Sequence, residues 1–150
     1  MYIQTNPFYL AMKNYYSDNL YYTTVALNRE ISTIAETAFL DLGLTPSDAY
    51  LVMVVNEKPN IQPTEISEKI LLAPSTITRM VEKLEKRNIV SRIQESKYTY
   101  VTSTQKGQDL YVLILQKWDE IHGNFLGRLS SEGVANLVNV TLNAAMKLKN

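Results

Sequence analysis

Apolar side chains recur at helical steps along both ends of this chain, while the middle changes its period several times. From Pro7 to Leu42 no internal glycine or proline interrupts the pattern, and Leu20, Leu27, Ile31, Ile34, Ala38 and Leu42 share one helical face. A continuous helix over that span would be about 50 Å long at ~1.5 Å per residue. A compact domain of this size has a radius of gyration of only about 15 Å, so such a helix overhangs its own core. The last third repeats the pattern with Leu110, Ile114, Ile121, Phe125 and Leu129. Ser130 then offers an N-cap for a further helix carrying Val134, Leu137, Val138, Thr141, Ala145 and Leu148. A monomeric bundle with one long edge helix satisfies this pattern. Packing of both ends against a second copy satisfies it too, and a homodimer is the arrangement we expect.

Between these ends the elements are short. Thr45-Pro46 is an N-cap followed by proline at the first helical position, opening a helix expected to end near Asn56. Lys58-Pro59-Asn60 breaks it, and Ile61 is placed to add one short strand pairing. Pro63-Thr64-Glu65 opens a second helix with Ile66 and Ile70 inward. A turn at Ala73-Pro74 leads to Ser75, a cap or first-turn residue of a third helix whose buried stripe is Ile77, Met80, Val81 and Leu84. Asn88, tolerant of the left-handed conformation, should stop it. Two short helices joined by a tight turn form a helix-turn-helix. Ile89–Ile93 and Tyr98–Thr102 then have strand composition around a polar loop, Gln94-Glu95-Ser96-Lys97, which predicts a hairpin wing. Thr104 caps the helix that follows. The fold class read from this order is all-α with a small β-hairpin wing: a winged helix-turn-helix flanked by N- and C-terminal helices that dimerise.

Composition narrows the chemistry. The 150 residues suit one domain, and 45% apolar content suffices for a core. Formal net charge is zero, so any nucleic-acid surface must be local. Pro74 to Lys106 carries seven Lys/Arg against three Glu, a net +4, which leaves −4 for the rest. Thr76, Arg79, Lys83 and Lys86, three or four apart, share one side of the third helix, with Ser75 and Thr78 beside them near its start. A DNA major groove admits such a helix with its N-terminal side chains toward base edges. Arg79 can pair bidentately with guanine, whereas Lys83 and Lys86 suit phosphates. An acidic protein partner would fit the same basic face, and this protein-interaction module is the alternative.

Other classes fare worse. Cysteine is absent, which removes disulfides and thiol chemistry. His122 with Asp119 offers two ligands where a closed zinc site needs four, so we read it as helix surface and expect no metal or cofactor. Neither a phosphate-binding glycine loop nor a nucleophile elbow is present, and no enzyme is expected. No apolar run reaches the roughly 18 residues of a membrane span. The N-terminus lacks a basic leader before an apolar stretch, so the expected location is cytoplasmic.

Leu44-Thr45, Ile66–Ile70, the run from Ser75 to Val90, Arg92 and Thr104-Gln105-Lys106-Gly107 together resemble the multiple-antibiotic-resistance regulator (MarR) family. The resemblance covers nearly the whole chain and is specific from Ser75 to Arg92. It implies a homodimer bound to a pseudo-palindromic double-stranded operator, usually as a repressor released by a small molecule. It divides the chain into dimerisation helices, 1–43 and 104–150, around a winged helix-turn-helix, 44–103. Ser75, Thr76, Thr78 and Arg79 fall at DNA-facing positions, with Arg92 at the base of the wing. Three positions depart from the family pattern. Asn88 stands where glycine is usual, and Ser103 replaces a leucine. The shorter wing lacks the aspartate-x-arginine element, leaving Lys97 as the cation near its tip.

Tyr9, Tyr15, Tyr16, Tyr21 and Tyr22 crowd the first helix with Phe8 and Met12. A tyrosine ring is apolar while its hydroxyl wants a partner, which suits a dimer interface or core. The same residues could wall an effector pocket, and for a small aromatic ligand the expected lining is Met12, Tyr15, Tyr16, Tyr22 and Tyr50.

Overall fold

The structure, a computed structural model, describes residues 19–149. In chain order these form α1 (Leu20–Phe39), a 3₁₀ turn (Leu40–Leu42), α2 (Pro46–Glu57), α3 (Pro63–Ile70), α4 (Pro74–Lys86), β1 (Val90–Glu95), β2 (Tyr98–Ser103) and α5 (Gln105–Leu148). The chain divides into two compact units, Met1–Thr37 and Ala38–Asn150.

In the first unit the expected continuous helix from Pro7 is corrected. Asn19 is not helical, and its Oδ1 accepts the N–H of Tyr22 at 3.2 Å, so α1 starts at Leu20. Asparagine is among the strongest N-caps, and Asn19 is the local signal for this start. The expected span before Asp18, with Met12, Tyr15 and Tyr16, lies outside the described residues. Leu20, Tyr21, Tyr22, Val25 and Ile31 are exposed on α1.

In the second unit the middle elements enclose a core of Leu51, Val52, Val55, Ile61, Ile66, Ile77, Val81, Leu84, Ile89, Val90 and Val101, each at most 2% exposed. α2 opens on a capping box: Thr45 Oγ1 accepts the Asp48 N–H at 3.1 Å, and Asp48 Oδ2 accepts the Thr45 N–H at 2.9 Å. Ile61 makes the expected pairing, exchanging two hydrogen bonds with Val101 of β2 at 3.1 and 2.8 Å. The strands are antiparallel, with Val90 opposite Ser103 and Glu95 opposite Tyr98. They run further than the sequence indicates, leaving a two-residue turn at Ser96-Lys97 with Ser96 at φ 56°. Gln94 and Glu95, expected in the loop, pair with Thr99 and Tyr98, and Thr99 Oγ1 donates to Gln94 Oε1 at 2.8 Å beside that pairing.

α5 starts at the Thr104 cap, whose Oγ1 accepts the Gly107 N–H at 3.1 Å. It breaks at Ser130, where φ 62° and ψ 164° are not helical and Oγ accepts the Gly133 N–H at 3.2 Å. Ser130 is the cap that its position indicated. Ile114 and Ile121 are buried on the first limb, whereas Val138, Val140, Leu142, Met146 and Leu148 on the second are all more than half exposed.

Candidate nucleic-acid interface

The turn between α3 and α4 is built by a buried serine. Leu71 adopts the left-handed conformation at φ 58°, and the Leu72 N–H reaches Ser67 O at 3.2 Å. Ser67 Oγ donates to Leu72 O at 2.6 Å, closing the turn from the inside. Ala73 is the N-cap of α4 and Pro74 its first residue, which places Ser75 in the first turn. The expected stripe Ile77, Met80, Val81 and Leu84 is buried, and it turns the opposite face outward. The helix ends in a Schellman arrangement: Ile89 N–H to Leu84 O at 3.0 Å, Asn88 N–H to Glu85 O at 2.9 Å, and Asn88 at φ 56°.

Ser75, Thr76, Thr78, Arg79, Lys83 and Lys86 are all exposed on that outward face. Thr78 Oγ1 donates back to Pro74 O at 3.1 Å, which leaves its lone pairs outward. The cations divide into two groups. Arg79 and Lys86 have no ion-pair or hydrogen-bond partner among the described residues. Lys83 does: its Nζ lies 2.5 Å from Oδ2 of Asp48, a carboxylate only 1% exposed. A cleft of about 320 Å³ lies there, lined by Thr45, Ser47 and Asp48 on one side and Thr76, Arg79 and Lys83 on the other.

The wing hinges on a second ion pair. Arg92 Nε and Nη2 both donate to Glu85 Oε2, at 3.0 and 2.6 Å, and the Arg92 N–H donates to Glu85 Oε1 at 3.2 Å. The guanidinium holds the Glu85 carboxyl below its usual range, and the Arg92 pKa is raised in return. Arg92 therefore sits at the base of the wing, locked to α4. Lys97 lies at the tip with Nζ 5.3 Å from the centre of the Tyr98 ring, a cation–π distance. Ile93 and Tyr98 stay exposed on the hairpin.

The remaining cations of the basic segment brace the backbone, which sequence reading did not foresee. Arg87 donates to Gly43 O at 2.6 Å and Leu42 O at 3.0 Å, and Lys106 donates to Arg87 O at 2.9 Å. Gly43, at φ 62°, is the signal for that turn. Nothing in the spacing of Arg87 distinguishes it from its neighbours on a polar face. Of the tyrosines expected to face a ligand, Tyr22 is half exposed on α1, and Tyr50 is stacked on Trp118 at 4.7 Å. Phe39 meets Trp118 edge-on at 5.0 Å, and Trp118 Nε1 is buried with no hydrogen-bond partner among the described residues. Burial raises the Tyr50 pKa.

Residues 44–97 match the family model described as MarR family. Through this segment the chain is similar to the MarR family. It is 24% identical over 106 residues to the HTH-type transcriptional repressor MdtR of Bacillus subtilis, covering 69% of this chain and 68% of that one. Its fold matches a MarR-family regulator from Listeria monocytogenes solved with a 26mer DNA, with a TM-score of 0.71, 20% identity and coverage of 87% and 89%. It also matches BpsR of Bordetella bronchiseptica, whose DNA binding is regulated by 6-hydroxynicotinic acid, with a TM-score of 0.79, 14% identity and coverage of 88% and 97%. Within the MarR frame, the left-handed Asn88 fills the place of the usual glycine. Ser103 turns its hydroxyl to Thr104 O at 3.2 Å, where a leucine would offer an apolar anchor.

Proposed function

We propose that this chain is a homodimeric transcription regulator that binds a pseudo-palindromic double-stranded operator through α4 and acts as a cytoplasmic, ligand-responsive repressor rather than an enzyme. The observation that carries this reading is the polar face of α4, where Arg79 and Lys86 project with no partner among the described residues, beside Ser75, Thr76 and Thr78. Arg79 reads a base edge, Lys86 and Lys97 neutralise phosphates, and Arg92 braces the wing against the backbone. The relatives supply the precedents: a repressor in MdtR, and a DNA complex in the Listeria protein. Among the described residues no single helix is long and apolar enough to cross a membrane.

Arg79→Ala should cost roughly 1–3 kcal/mol at the operator and relax preference at one base pair. Titration of the folded variant on operator and on point-changed operators measures both effects, and unchanged operator affinity would take α4 out of the groove. A salt titration on random duplex separates DNA from an acidic protein partner, since counterion release gives a steep slope.

For the effector we propose a small aromatic ligand bearing a hydrogen-bond acceptor, engaging Tyr50. Its support is the half-exposed Tyr50 ring stacked on Trp118, whose buried N–H lacks an acceptor among the described residues. BpsR is the precedent for control by such a molecule. A ligand acts only by preferring one state of the dimer, so operator DNA must weaken ligand binding by the factor that ligand weakens DNA binding.

A further inference from the structure

Lys83 shares the outward face of α4 with Arg79 and Lys86, yet its ammonium is committed to the one carboxylate of this region that is buried. Asp48 has two fixed duties: it accepts the Thr45 N–H as part of the α2 cap, and it pairs with Lys83 across 35 residues of chain. A carboxylate taken out of water needs a compensating charge close by. No other cation is paired with it among the described residues. The cleft of about 320 Å³ separates the start of α2 from α4 at this end, so side-chain packing does not fill the space between them. The ion pair spans that gap.

We propose that Lys83 and Asp48 form a strut that sets the position of the recognition helix against α2, and that Lys83 is a positioning residue rather than a phosphate contact. This rests on the regulator reading above. A phosphate approaching Lys83 would have to draw the ammonium from a carboxylate that burial leaves with no other counter-charge. Arg79 and Lys86 face no such competitor. The strut therefore acts on specific binding, by aiming Arg79, and contributes nothing to the general attraction for duplex.

The test compares Lys83→Met, Lys83→Arg, Asp48→Asn and the Lys83→Met/Asp48→Asn double variant with Lys86→Ala. Asparagine keeps an acceptor for the Thr45 N–H while removing the charge. Lys83→Met and Asp48→Asn should each weaken operator binding about tenfold, the double variant no more than either alone, and Lys83→Arg should restore binding. On random duplex their salt slopes should match the wild type, whereas Lys86→Ala should lower the slope by about one for each chain's lost contact. A slope that falls with Lys83→Met as it does with Lys86→Ala overturns the strut and makes Lys83 a phosphate contact. Unchanged or tighter operator binding by Asp48→Asn overturns it as well. The thermal unfolding midpoints of the wild type, Lys83→Met, Asp48→Asn and the double variant give a readout without DNA. Non-additive losses support the strut and additive ones overturn it. If the wild type bound no duplex, the regulator reading would fail, while this cycle would still decide whether the strut exists.

Discussion

Gly107 is held to glycine by a close approach of chain to chain. A Cβ there would stand 2.2 Å from Ile89 O and 2.4 Å from Ser103 Oγ. The serine could rotate away, but the carbonyl belongs to the backbone joining α4 to the wing and also accepts the N–H and the hydroxyl of Thr104. Gly107→Ala should therefore destabilise the protein by about 1–3 kcal/mol, the usual cost of overpacking, and chemical denaturation measures it. An unaltered midpoint would mean that the start of α5 shifts freely from the wing. The sequence marks this glycine only as part of a cap motif. The contact that forbids a side chain joins residues eighteen apart and exists only once the hairpin has closed.

At the scale of elements, the wing is tied to the recognition helix by Glu85 and Arg92, and that tie depends on pH. Arg92 depresses the Glu85 pKa in the folded protein, so the stabilisation is fully present above the ordinary glutamate value of 4.5 and is lost as pH falls through the lower folded value. Both side chains keep a third or more of their surface in solvent, so the contribution is at most about 1 kcal/mol. Glu85→Gln should reduce stability near neutral pH, and the gap from wild type should close below pH 4.5. Urea midpoints of both proteins across that range test it, and a gap independent of pH would show that hydrogen bonding, not charge, holds the wing. The hairpin itself was legible from its β-branched and aromatic runs. The reach of β1 to Glu95 was not, because Gln94 and Glu95 have no strong strand preference of their own and are held by pairing with Thr99 and Tyr98.

For the whole molecule, apolar surface is left over. Val138, Val140, Leu142, Met146 and Leu148 are exposed on the second limb of α5, and Leu20, Tyr21, Val25 and Ile31 on α1. Monomeric soluble proteins rarely leave contiguous apolar patches of more than a few hundred Å² in water, and a symmetric dimer is the commonest way to cover them. Sedimentation equilibrium at micromolar concentration should return twice the chain mass. A single-chain mass would remove the proposed two-fold pairing of recognition helices and, with it, the pseudo-palindromic operator.

The sequence by itself determined the identity and order of the elements, because the signals are local. Thr45-Pro46, Asn88, Thr104 and Ser130 act on backbone groups within a few residues, and the Ile77-Met80-Val81-Leu84 stripe needs only the helical period to define its buried face. It also placed Thr76, Arg79, Lys83 and Lys86 on one exposed side of that helix, with Ser75 and Thr78 beside them. Only the tertiary structure decided which cations on the basic segment remain free. Lys83, Arg87 and Arg92 have the same composition and spacing as a solvated face, yet a buried carboxylate, two turn carbonyls and a glutamate engage them. A charge pattern along a chain states what an ion could attract. Which partner it holds depends on what folding buries beside it, and a buried Asp48 outcompetes water for an ammonium in a way that no spacing of residues records.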